Sequence, residues 1–224
     1  MKARASRAPR RQVLGRDFYA RDVLDVARDC IGTLLVHETP AGRIVGRVVE
    51  AEAYRGPEDR AAHSYGGRRT ARTEVMFGPP GHVYVFFVYG MHWHVNLVTG
   101  PLGAPQAVLL RAVEPLMGVE LMAERRGMGA ERRELTNGPG KLCQAFGIDR
   151  NLYGADLCRG PLYLEPAPAH LPPPRVLTSP RIGIDYAGPW RDRPWRFFDG
   201  ESPYVLKAAR KPGPAPGPRS ARPR

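Results

Sequence analysis

Between residues 20 and 31, apolar side chains recur at helical spacing, with Val23, Leu24, Ala27, Cys30 and Ile31 on one side. Asp17 or the Arg21-Asp22 pair supplies a start signal, so one helix is expected there. Over residues 43–54 the pattern changes to β-branched residues and then to alternation. That places Val49, Ala51 and Ala53 on one face of a strand and Glu50, Glu52 and Tyr54 on the other. Further strands are expected over 83–89, 93–98 and 107–113, and the first two are joined by the short Gly-containing connection Tyr89-Gly90-Met91-His92. Helical signals return over 115–125, where Pro115 suits a first turn, and over 141–146 behind Gly138-Pro139-Gly140. Residues 161–200 are rich in Pro and Trp and hold short β-like pieces such as 181–184.

Sequential strand pairing with interspersed helices points to an α+β fold: a single compact domain with a curved antiparallel β core flanked by helices. A length of 224 residues suits one core of ordinary size. The Pro-, Gly- and Arg-rich end at 207–224 and the basic start at 1–12 lack the apolar side chains needed to offset ordering entropy, so both are expected to be disordered tails around a domain at 13–206.

Charge adds less than its total suggests. The formal net charge is +12, but residues 1–12 carry five basic side chains and residues 207–224 six, with no acid in either stretch, so the body is close to neutral. Such ends either hold a protein near a polyanion or simply keep it soluble. Cys30, Cys143 and Cys158 are widely spaced with no CxxC pair, which indicates neither a disulfide framework nor structural zinc and suits a reducing cytosol. The basic start is followed by no apolar signal segment, and the longest apolar run is too short to span a bilayer, so no membrane role is expected.

Polar residues inside apolar strands are the first chemical signal. Arg111 interrupts AVLLRAV, Asn96 interrupts WHVNLV, and Glu52 shares a strand face with Tyr54. A charge or amide in such a place is costly unless paired. Taken singly, each has a purely structural explanation: Glu52 on a solvated face, Arg111 paired with some carboxylate, Asn96 bonded to neighbouring backbone. Tyr84, Phe86, Phe87, Tyr89 and Trp93 lie within ten positions, enough to fill a core or to wall a slot for a planar base. Tyr89 stands apart because it precedes Gly90 at the hairpin connection, where a ring projects from the sheet and can wedge between base pairs. His92 and His94 are spaced to face one metal with His63 or His82, but no Cys, Asp or Glu follows at ligand spacing, and no metal or cofactor is expected. No nucleophile elbow, P-loop or dinucleotide fingerprint occurs. Lys141 is the only lysine of the body, and at a helix start it suits a phosphate contact or a structural pairing better than Schiff-base chemistry.

Four segments, EAEAYRGPEDRAAHS, RTEVMFGPPGHVYVFFVYGMHWHVN, AVLLRAVEP and TNGPGKLCQAFGI, occur in order with short spacers. Together they resemble the alkyladenine (3-methyladenine) DNA glycosylase family of the mammalian type, over residues 14 to 206. The resemblance implies a compact α+β domain that flips a damaged purine out of double-stranded DNA and hydrolyses its bond to deoxyribose. It makes Glu52 the general base that activates water and Arg111 the residue that helps hold that water. Tyr54 and His63 match base-pocket positions, Asn96 the residue that excludes guanine by clashing with its 2-amino group, Tyr89 the aromatic that fills the gap left by the flipped nucleotide, and Met91 a hairpin position beside it. Phe86 is a departure: the family's well-studied animal member has a tyrosine that stacks on the base, so stacking is kept and a hydroxyl is lost.

The expected enzyme is a monofunctional DNA N-glycosylase of base-excision repair that leaves an abasic site and needs no cofactor. It is expected to act as a monomer, in the cytoplasm at the nucleoid. An N-alkylated purine is already a good leaving group, which explains why no second carboxylate is needed as in O-glycoside hydrolysis. The competing readings are a non-catalytic nucleic-acid binder using Arg68, Arg69 and Arg72, which would not need Glu52, and a small-molecule nucleoside hydrolase, whose activity would show little salt dependence.

Overall fold

A computed structural model describes residues 12–206 and 213–214. The expected tails therefore lie outside the described residues except for Gln12 and for Gly213 and Pro214. Short helix α1 (Arg16–Tyr19) leads into α2 (Val23–Cys30). Asp22 caps α2, its carboxylate accepting from the Leu24 amide at 2.9 Å, and Val23, Val26, Ala27 and Cys30 form the buried stripe. Strands β1 (Leu34–Thr39), β2 (Gly42–Tyr54), β3 (Val83–Val88), β4 (His92–Thr99) and β5 (Gln106–Met117) follow, then α3 (Val119–Arg126) and α4 (Pro139–Phe146). The chain continues through β6 (Leu162–Glu165), β7 (Val176–Ser179), β8 (Arg196–Asp199) and the two-residue β9 (Gly213–Pro214).

All strand pairs are antiparallel, in the order β3-β4-β5-β2-β8-β7-β9, with β1 joining β2 to β6 and the sheet left open. Long β2 organises it. One edge runs along β5; the other pairs first with β1 and then, past residue 49, with β8. Helices α2 and α4 cover the apolar face, where Val48, Ala51, Ala53, Leu110 and Phe146 meet in the main core. The α+β domain with an antiparallel core is thus as the pattern predicts.

Three local expectations fail for tertiary reasons. The first concerns β2, which is not half-solvated: Ile44 to Ala53 are all buried, and Val49 has no partner opposite it on β5. This bulge moves Val48, rather than Val49, into the main core beside Ala51 and Ala53. The second is Pro115, which starts no helix. Strand β5 runs on through it to Met117, and proline is tolerated because its partner Gly46 sits at a register shift. Helix α3 begins only after Gly118, whose φ of 73° makes the corner. The third is 181–184, which forms a loop rather than a strand, and that loop matters for the site.

Candidate active site

The floor of the site is a buried chain of alternating charges. Glu50 Oε1 accepts from Arg196 Nε and from Arg111 Nε, both at 2.7 Å, and Arg111 Nη1 lies 3.3 Å from Glu52 Oε1. The backbone explains how one guanidinium serves both acids. In the β2–β5 ladder Glu50 opposes Ala112 and Ala51 opposes Leu110, so Arg111 has no direct partner and its side chain is aimed between the two carboxylates. Burial works against the Arg111 charge, but Glu52 and Glu50 together outweigh it and hold the guanidinium protonated more firmly than usual.

Glu52 is fully buried and does not itself line the cavity. Its three hydrogen-bonding or ionic neighbours do. Tyr54 donates its hydroxyl to Oε2 at 2.9 Å, the Ile182 amide donates to Oε1 at 2.8 Å, and Arg111 completes the set. Burial, reinforced by the Glu52 charge, pushes the Tyr54 phenol well up, so it stays a donor. The loop carrying Ile182 is clamped by Arg181, whose terminal nitrogens bind the Asp59 carboxylate at 2.6 and 2.8 Å and whose guanidinium lies 4.6 Å from the Tyr54 ring centre. Asp59 is satisfied further by the amides of Arg55 and Ala61.

Above this floor lies a cavity of about 500 Å³ walled by Tyr54, His63, Tyr84, Phe86, His94 and Asn96. His63 packs its edge on Phe86 with centroids 4.5 Å apart, and its Nδ1 lies 2.8 Å from the Tyr84 hydroxyl. Asn96 donates from Nδ2 to the Tyr84 carbonyl at 3.2 Å, which fixes its amide at the wall. Burial, then the nearby Arg72 and Arg68, lowers the His63 pKa to about 4; burial, then Arg111, does the same to His94. Both imidazoles are neutral near pH 7.

At the rim Tyr89 is 85% exposed and adopts φ 53°, a strained conformation for a bulky residue, while the Met91 amide closes the turn on the Val88 carbonyl at 3.1 Å. Met91 is exposed beside it, and Tyr186, 70% exposed, stands on the cavity wall. Lys141, in the first turn of α4, donates to Asn137 Oδ1 at 2.8 Å and is not on that wall.

A family model for methylpurine-DNA glycosylase matches residues 17–203. A protein of Desulfitobacterium hafniense named "Putative 3-methyladenine DNA glycosylase" is 52% identical over 200 residues, covering 86% of this chain and 97% of its own. Proteins of the same name from Methanocella arvoryzae (52% over 198 residues, 88% and 97%) and Bacillus cytotoxicus (47% over 198 residues, 85% and 97%) are similarly close. The chain belongs to the methylpurine-DNA glycosylase family.

With that membership the chain is a DNA N-glycosylase of base-excision repair. The relatives are bacterial and archaeal, so the narrower mammalian label is not supported. Among the described residues, no three His, Cys, Asp or Glu side chains are grouped to hold a metal ion, and no helix is long and apolar enough to cross a membrane. The structure gathers Tyr54, His63, Phe86, Asn96 and Arg111 around one cavity, with Glu52 directly behind it and Tyr89 at its edge. Sequence reasoning missed Arg196, Asp59, Arg181 and the bonding role of Glu50. Arg196 was open to the same argument that singled out Arg111, since it stands between Trp195 and Phe197. The Ile182 amide carries no signal in residue type.

Proposed function

We propose that this glycosylase flips alkylated or deaminated purines, 3-methyladenine among them, from double-stranded DNA into the ring-walled cavity, with Glu52 as the general base. The attacking water bonds to the sugar C1′ and gives its proton to Glu52. The N-glycosidic bond breaks with its electron pair passing to the purine, and an abasic site remains. A purine alkylated at N3 is cationic, so it is drawn to the aromatic faces and departs neutral. The observation that carries the proposal is the buried Glu52 carboxylate, three of whose neighbours line the slot.

Because Tyr54 caps Glu52 Oε2, a water must take the place of that hydroxyl before the base can act. Arg111, firmly cationic, holds the carboxylate and orients the water. Phe86 and Tyr54 stack on the purine and His63 borders it. Asn96, tethered to the Tyr84 carbonyl, cannot swing aside for a 2-amino group. Tyr89 fills the gap in the duplex with Met91 beside it, offsetting part of the unstacking cost of a few kcal/mol. Lys141 contacts a backbone phosphate. No Schiff base forms, because the body's one lysine stands off the cavity wall. The enzyme works as a monomer at the nucleoid in the cytoplasm.

The test is a panel of duplexes, each with one damaged base, assayed for free base under single turnover. Wild type releases the purine and leaves an unnicked strand, while Glu52→Gln binds the same duplex but loses roughly 10²–10⁴ in rate. Unchanged excision by Glu52→Gln rejects the general-base assignment. A borohydride-trapped adduct rejects the monofunctional one.

A further inference from the structure

Arg72 has no part in the chemistry above, yet it lies in the base cavity. It precedes the short 3-10 turn Glu74–Phe77, its guanidinium carbon is 5.0 Å from the Phe86 ring centre, and one terminal nitrogen is 3.4 Å from Nε2 of His63. For Arg72 to donate to Nε2, His63 must carry its proton on Nδ1 and offer it to the Tyr84 hydroxyl. Among the described residues no carboxylate pairs with Arg72, whereas Arg111, the other cation on the wall, is taken up by Glu50 and Glu52. His63 and His94, with pKa values lowered to about 4, supply no positive charge near pH 7. A guanidinium that touches His63 and the Phe86 ring but has no carboxylate to offset its charge is therefore left at the cavity.

We propose that Arg72 is a leaving-group residue: a cation held beside the flipped purine that takes up the negative charge arriving on the base as the N-glycosidic bond breaks. The inference rests on the cavity being the base pocket, as proposed above. When the bond from C1′ breaks, its electron pair goes to the purine. A purine alkylated at N3 starts as a cation and departs neutral. Hypoxanthine starts neutral and departs as an anion, which solvent later protonates, so only this second class needs a counter-charge during bond breaking. A guanidinium stays protonated and cannot be the acid. It can stabilise negative charge that develops in the cavity it lines. For a cationic lesion the same charge repels the bound ground state, and this repulsion fades as the base leaves.

The test compares wild type with Arg72→Gln and Arg72→Lys on two probes: a duplex with one hypoxanthine, and methylated DNA from which 3-methyladenine is released. Arg72 is exposed, so both variants should fold, which a thermal melt checks. Single-turnover release of hypoxanthine is expected to fall roughly a hundredfold in Arg72→Gln and to be partly rescued in Arg72→Lys. Release of 3-methyladenine should change by only a small factor, with tighter binding of the cationic lesion. An equal loss on both probes makes Arg72 a general binding or packing residue and overturns the proposal. So does an unchanged hypoxanthine rate, or a wild type that releases 3-methyladenine but no hypoxanthine. A wild type that releases neither base overturns the base-pocket reading along with it.

Discussion

Arg111 touches Glu50 through Nε at 2.7 Å and Glu52 through Nη1 at 3.3 Å, so one guanidinium ties together two buried carboxylates on a single strand. Glu50 also neutralises Arg196, which is fully buried. The carboxylate proposed to do chemistry and the one that supports it share Arg111 but differ in their other partners: Glu52 is bonded to Tyr54 and the Ile182 amide of the cavity wall, Glu50 to Arg196 of the interior.

Glu50→Gln should therefore be a stability mutant first. Losing one partner leaves Arg196 buried with its charge unmatched, a cost of about 3–5 kcal/mol. Urea denaturation at neutral pH reads it, and a midpoint equal to wild type would show that Arg196 finds other compensation.

Asp59→Asn loosens the loop that delivers the Ile182 amide to Glu52. Arg181 loses its counter-ion at a fully buried position, so stability should fall by about 3 kcal/mol. Hydrogen exchange at the Ile182 amide should quicken and single-turnover excision should slow. Preserved protection of that amide would separate the Asp59 clamp from the site.

Tyr89→Ser should leave the melting temperature close to wild type, because the ring is exposed and serine, which keeps a Cβ, leaves the strain at φ 53° about as it was. Flipping should weaken and the abasic product should leave faster. A fluorescent base analogue beside the lesion reports this; equal fluorescence in mutant and wild type contradicts the wedge role.

The histidines give a pH signature. His63 and His94 are lowered from the usual 6.5 to about 4, so the unfolded chain binds protons that the folded one refuses between those values. Their contribution to stability is present above pH 6.5 and is lost as pH falls toward 4. Imidazole resonances titrating near 4 in the folded protein would match, whereas midpoints near 6.5 would mean that the cavity is wetter than the packing shows.

Much of the architecture was legible because it depends on local rules. The stripe of Val23, Ala27 and Cys30, the Asp22 cap and the Tyr89-Gly90 turn each arise from side chains acting on their own backbone. Arg111 and Asn96 were visible as chemistry because each breaks an apolar pattern at a cost that needs a partner, whereas Glu52, on the polar face of an alternating strand, stood out through the family motif. Residues 161–200 were not legible. Strands β6 to β8 are four residues long, and they exist because β1, β2 and each other supply the pairing.

Residue type and order alone determined the fold class, the family motifs and the candidate residues, since periodicity, caps and pattern-breaking charges act within a few positions of the chain. Only the folded structure decided which acid meets which base. A bulge at Val49 and a skipped partner at Arg111 set where the side chains of β2 and β5 point, and Asp59 and Arg181, 122 residues apart, bring a backbone amide to Glu52. Such contacts depend on register and closure over long separations, and a one-residue shift on a strand reverses every side chain beyond it.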